Sequence, residues 1–171
     1  MISVQYCLTM ARYNAWQNKM MKAVLESMDD VALHADRGAF FGSIWATANH
    51  VLWADRMWML RFEGKAPPTG GIAGSVTMTP TLPVWGAERF RTDAHVILWA
   101  EQLHALDLVG DLRWHAGALG RDVSKPVALC IAHMFNHQAH HRGQIHAMVT
   151  TAGHEAWVSD VFVMPEAGPW L

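Results

Sequence analysis

Cysteine is scarce in this chain. Cys7 and Cys130 are the only two, far apart, and they form no CxxC. That excludes cysteine-rich zinc modules and thioredoxin-like centres. The pair reads as two small buried hydrophobes of a reducing compartment. Charge is scarce too: 16% of residues are charged and the formal net charge is -2. Without a basic excess to offset phosphates, nucleic acid is not an expected partner. Low charge beside a 51% hydrophobic content also excludes intrinsic disorder. No basic segment leads into an apolar run near Met1, so no cleaved signal peptide is expected. The longest uncharged stretch, Ala66 to Ala87, is full of Pro, Gly and Thr. It reads as loop and not as a membrane span. The expectation is a soluble cytoplasmic protein without a membrane partner.

Several hydrolytic signatures are missing as well. There is no GxSxG, and neither cysteine has the local context of a nucleophile. Gln138 follows His137, so no HExxH helix supplies a general base beside metal ligands. Glu26, Glu63, Glu88 and Glu101 are scattered, which argues against a diiron carboxylate bundle.

What the chain has is apolar surface in helical register. Its 171 residues suit one domain, residues 1–171. The first helical pattern runs from about Ser3 to Met28, capped by Ser3 and broken at Asp29-Asp30. The second runs from about Ser43 to Phe62, apolar nearly all round, with Gly64 as its stop. A Gly- and Pro-rich loop over 64–83 follows, longer than ordinary connections and placed to cover one end of the molecule. The third pattern runs from about Val84 to Leu108. The fourth runs from about Lys125 to Ala152, with Ser124 as N-cap, Pro126 in the first turn and Gly153 as stop. Leu112, Trp114 and the Gly117–Gly120 turn between them suggest a short hairpin. The expected fold is all-α, a four-helix bundle. Mean hydropathy of +0.07 implies a surface that is not very polar and is compatible with a buried oligomer interface.

Histidine is the abundant oddity, with 11 copies against 13 Lys and Arg together. Five lie between His133 and His146 on the fourth helix. With His137 at zero and about 100° per residue, His133 falls at about -40°, His141 at about +40°, Gln144 at about -20° and Met148 at about +20°. His140 lies about 60° to the side and His146 points away. Two imidazoles four residues apart can hold one divalent metal. Periodicity alone does not choose between the His133/His137 and His137/His141 pairs. A useful site needs a third ligand, and His50 is the only histidine of the second helix. It lies in an apolar segment where an unpaired imidazole would be costly. His34, His95, His104, His115 and His154 read as surface or loop residues.

These residues resemble the DinB/YfiT-like superfamily of proposed metalloenzymes. The strongest match is Asn136-His137-Gln-Ala-His140-His141-Arg142-Gly143-Gln144, similar to that family's NHxxxHRGQ helix. Asn49-His50 with Asp55 and Arg61-Phe-Glu-Gly64, Tyr13-Asn14-Ala-Trp16-Gln-Asn18, and Gly42-Ser43-Ile44 match in the same order. The resemblance implies a four-helix bundle, a homodimer, and a metal site of His50, His137 and His141. It places His133 and Gln144 beside the metal, and suggests an Asp55–Arg142 ion pair between the second and fourth helices. Gly143 would let a neighbouring helix approach, and Tyr13, Asn14 and Trp16 would pack and hydrogen-bond between helices.

Three neutral imidazoles leave the metal charge uncompensated, so a bound water or thiol is acidified. Zinc or nickel suits such ligands, though ligand type alone does not select the metal. The resemblance implies a metal-dependent transferase that activates a low-molecular-weight thiol against a small-molecule electrophile, in detoxification or stress response. Two alternatives stand beside it. One is a hydrolase using bound hydroxide, which would turn over without added thiol. The other is a non-catalytic protein whose metal staples the second and fourth helices and needs a fourth protein ligand.

Overall fold

The computed structural model describes residues 2–171. The chain is mostly helical with one small two-stranded sheet. Helix α1 spans Val4–Leu25, and Ser3 caps it by accepting from the Tyr6 N–H at 3.1 Å. The chain then tightens through Ser27 and Met28. The expected break at Asp29 is itself a cap: its carboxylate accepts from the Ala32 N–H and opens the short helix α2, Asp30–His34.

Helix α3 spans Ile44–Phe62 behind an N-cap at Ser43. It closes at Gly64, whose φ of 67° lets the Lys65 N–H return to the Leu60 carbonyl. The long loop contains a further short helix, α4, Gly71–Ser75. Helix α5 spans Leu82–Gln102 with Pro83 in its first turn. It ends six residues before the expected Leu108, because Leu103 turns extended and residues 105–108 form a separate 3-10 turn.

The hairpin is present and longer than expected. Strands β1, Asp111–Ala116, and β2, Arg121–Pro126, pair antiparallel with Asp111 opposite Pro126 and Trp114 opposite Val123. This corrects the start of the last helix. Helix α6 spans Val127–Thr151, and Ser124 is a strand residue bonded to Asp111 instead of an N-cap. Pro126 occupies the cap position, and Val127 donates its N–H to Gly110 at the mouth of the hairpin.

Helix α1 packs chiefly on α5, and α3 chiefly on α6. Their apolar residues form two clusters. Ala11, Ala15, Met57, Val96, Ile131 and Phe135 belong to one. Met21, Leu25, Leu52, Trp85, Ile145 and Val149 belong to the other. A polar layer lies between them at matching heights: Asn18 on α1, Asp55 on α3, Arg89 and Asp93 on α5, and Gln138 and Arg142 on α6. All six are buried. Cys7 and Cys130 are free and buried in the first cluster, as expected, and burial pushes the Cys7 thiol up to about 11. No described helix is long and apolar enough to cross a membrane.

Candidate metal centre

The helical step on α6 presents His137 and His141 from successive turns toward α3, which carries His50. The three side chains come together. His137 Nε2 lies 3.1 Å from His141 Nε2 and 3.4 Å from His50 Nε2. One ring nitrogen from each residue lies within 4.8 Å of the others, and no fourth His, Cys, Asp or Glu joins the group among the described residues. Nitrogens bound at about 2.0–2.1 Å to a tetrahedral zinc sit about 3.3 Å apart. The two separations from His137 match that value, so the group is compatible with a shared divalent ion.

Two neighbours set the tautomers. Ser75 Oγ donates its one proton to the Ile72 carbonyl at 2.6 Å, so toward His50 it can only accept. The His50 Nδ1–H donates to it at 2.8 Å, which leaves the Nε2 lone pair facing the cluster. The Gln144 amide oxygen likewise accepts from His141 Nδ1 at 2.7 Å. His137 Nδ1 is buried with no protein partner. A neutral His137 has one ring proton and so can bridge at most one neighbour, leaving lone pairs opposed at the other. A cation at the centre satisfies all three nitrogens, so the donor set fits a metal.

Burial keeps the imidazoles neutral. It depresses His50 to about 4, helped by His141, and His137 to about 3, helped by His141 and His50. His141 is also lowered by burial. Metal binding needs unprotonated imidazole, so protons compete weakly here at neutral pH. Phe41 covers one side, its ring 4.0 Å from His50 and 5.5 Å from His141. It is set there by a tight turn in which Gly42 has φ 76° and donates its N–H to the Ala39 carbonyl.

The long loop, expected to cover one end of the molecule, is pinned at the centre through adjacent residues of α3. Beyond the Ser75 bond, Asn49 Oδ1 accepts from both the N–H and the hydroxyl of Thr79 at 2.8 and 2.7 Å. Among the flanking histidines, the His133 ring makes no hydrogen bond among the described residues. Its ring lies 5.7 Å from His137 and 5.2 Å from Trp58. His140 is exposed beside His141. His146 accepts no part in the cluster and instead meets the Trp157 carbonyl at 3.1 Å.

The expected Asp55–Arg142 pair is not formed. Asp55 accepts from Arg89 at 2.6 Å and from Gln138 at 2.7 Å. Arg89 also grips Asp93 with two bonds, and Asn18 donates to Asp93 at 2.9 Å. Arg142 is buried over the Tyr13 ring at 5.7 Å with both terminal nitrogens unbonded, and burial lowers it to about 10. The pairing went to α5 because Arg89 and Asp93 stand one turn apart on its buried face. Trp85, Arg89, Asp93, Val96 and Ala100 step by three or four along that stripe. Gly143 is exposed with open space where a Cβ would go, so it admits no neighbouring helix. In α1, Tyr13 and Gln17 donate to the Ser159 and Val158 carbonyls and hold the C-terminal tail, whereas Asn14 has no partner for its amide.

A sequence model of the DinB family matches residues 1–168. The chain belongs to the DinB family. No curated protein matches it. Within this DinB protein, the matched span includes every residue of the histidine centre. Sequence reasoning missed Ser75, Phe41, Arg89 and Asp93. The last two carry a legible signal in their i,i+4 spacing, but Ser75 ends a five-residue helix and Phe41 sits in a turn, and neither carries one.

Proposed function

We propose that this DinB protein is a metal-dependent enzyme. In this reading His50, His137 and His141 hold a divalent ion, zinc or nickel, within a four-helix bundle formed by α1, α3, α5 and α6. One observation supports it above others: three imidazole nitrogens converge on one point, with no fourth protein ligand beside them among the described residues. A structural metal site is closed by four protein ligands, whereas a catalytic one keeps a position open. The arrangement thus favours chemistry over a helix staple.

When bound, the metal supplies Lewis acidity that holds a small thiol in its nucleophilic form at neutral pH. The chain's own residues do the rest. Ser75 and Gln144 fix ring orientation and tautomer through the outer nitrogens of His50 and His141. Phe41 and Trp53, the latter 5.9 Å from His50, keep water from one side. No Asp or Glu lies in the group among the described residues. A thiol nucleophile needs no general base once it is ionised, so this fits S-transfer to a small electrophile, in detoxification or stress response. We place the protein in the cytoplasm as a homodimer, consistent with exposed Phe40, Leu106 and Phe162.

Turnover of electrophiles by metal-loaded protein, with and without a small thiol, tests the reading. Strict thiol dependence supports it. Equal turnover without thiol would instead establish the hydrolase.

A further inference from the structure

Beyond Trp58 and His133 from the histidine centre stands an arginine that enters no ion pair among the described residues. Arg61 leaves the last turn of α3 and lies against two indoles, its guanidinium carbon 4.7 Å from the Trp58 ring and 5.2 Å from the Trp114 ring. Trp58 comes from α3 and Trp114 from β1, and the two rings meet edge-on at 5.7 Å. The hairpin therefore supplies one wall of the arginine's slot.

Arg61 takes part in none of the ion pairs found among the described residues, while Arg12, Arg56, Arg89 and Arg91 each have a carboxylate. Its sequence neighbour Glu63 is occupied by Lys65 and His95. Arg61 is half-buried, and burial lowers its pKa. Cation–π contact with the indoles recovers part of the desolvation cost and restrains the guanidinium. Its N–H donors have no protein acceptor among the described residues.

His133 stands between this cation and the metal centre, its ring 5.2 Å from Trp58 and 5.7 Å from His137. Burial and the Arg61 charge both lower its pKa. Arg61, Trp58, His133 and His137 are thus consecutive neighbours along one path.

We propose that Arg61, with His133 beside it, binds a carboxylate of the ligand whose reactive end reaches His50, His137 and His141. This names the substrate chemistry of the proposed thiol reaction and rests on that reading. The carboxylate belongs either to the small thiol or to the electrophile. Trp58 and Trp114 orient the guanidinium, and planar bidentate pairing with a carboxylate follows from its geometry.

The test is calorimetric titration of cobalt-loaded protein with 2-mercaptoethanol and with straight-chain mercaptocarboxylates of three to six carbons. Wild type, Arg61→Met and Arg61→Lys are compared at matched metal content and melting temperature. Wild type is expected to bind the best-fitting mercaptocarboxylate about tenfold or more tightly than 2-mercaptoethanol. Arg61→Met should erase that preference while leaving 2-mercaptoethanol binding unchanged, and Arg61→Lys should retain part of it. Equal affinities in wild type, or a preference that survives in Arg61→Met, overturns the proposal.

Propionate added to protein saturated with 2-mercaptoethanol assigns the carboxylate. Arg61-dependent binding of both together supports an anionic electrophile, and Arg61-dependent mutual exclusion supports an anionic thiol. Titrating metal-free protein with propionate separates this site from the thiol reading. Arg61-dependent carboxylate binding with no thiol binding to loaded protein supports the anion site and sinks thiol activation. Thiol binding with no charge preference does the reverse.

Discussion

A single hydroxyl decides which nitrogen His50 offers. Because Ser75 Oγ gives its proton to Ile72, it can only accept from His50 Nδ1. Ser75→Ala removes that acceptor and frees the ring to rotate or change tautomer. Metal affinity should fall roughly 10–100-fold, the usual cost of losing such a support. Competition with a chelator of known affinity measures this, and helicity by circular dichroism should stay unchanged. Arg89 governs the other buried centre. It pairs with Asp55 and Asp93 at once, and all three are almost fully buried. Arg89→Met strands two carboxylates in the interior and should cost about 3–5 kcal/mol, read from chemical denaturation. A loss under about 1 kcal/mol would show that the carboxylates find another partner. Arg142 is the nearest cation, and its free terminal nitrogens make it the group that would move.

At the level of elements, the ends carry the information. Gly42 lies in the left-handed region at φ 76° and directs Phe41 onto the imidazoles while Ser43 starts α3. Gly42→Ala should destabilise the protein by about 1–2 kcal/mol, measured by the denaturation midpoint. Helices α1 and α3 were legible because unbroken 3.6-residue patterns follow serine caps. The start of α6 was not. Ser124-Lys-Pro126 carries the cues of a cap and a first turn, yet the same residues pair across the hairpin with Asp111 to Arg113. Local cues cannot distinguish these outcomes; strand register does. The family resemblance picked out His50, His137 and His141, and the structure brings those side chains together. The partner of Asp55 was misjudged because motif proximity suggested Arg142, whereas the α5 stripe supplied a cation at better distance. Ser75 had no readable signal, since the last residue of the short helix α4 meets His50 only through the tertiary path of the Gly- and Pro-rich segment.

For the molecule as a whole, the ionic layer divides the core into two apolar halves, and on α6 His137 and His141 stand next to its Gln138 and Arg142. The centre therefore links function to stability. In metal-free protein, His50 and His137 titrate near about 4 and about 3, against an ordinary value of 6.5. Between those values the unfolded chain binds more protons, so stability falls as pH falls. The contribution should be fully present above about 6.5 and decline progressively toward about 4. Melting temperatures across that range measure it, and the slope should flatten in His50→Asn/His137→Asn. Metal that binds only the folded form should raise the melting temperature with its concentration. The most direct measurement of the central claim is the metal content of purified, zinc- or nickel-loaded protein beside His137→Ala after exhaustive desalting. The account predicts about one tightly held divalent ion per chain in the wild type and almost none in the folded variant. Equal metal in the two proteins, or a wild type that retains none, would contradict it.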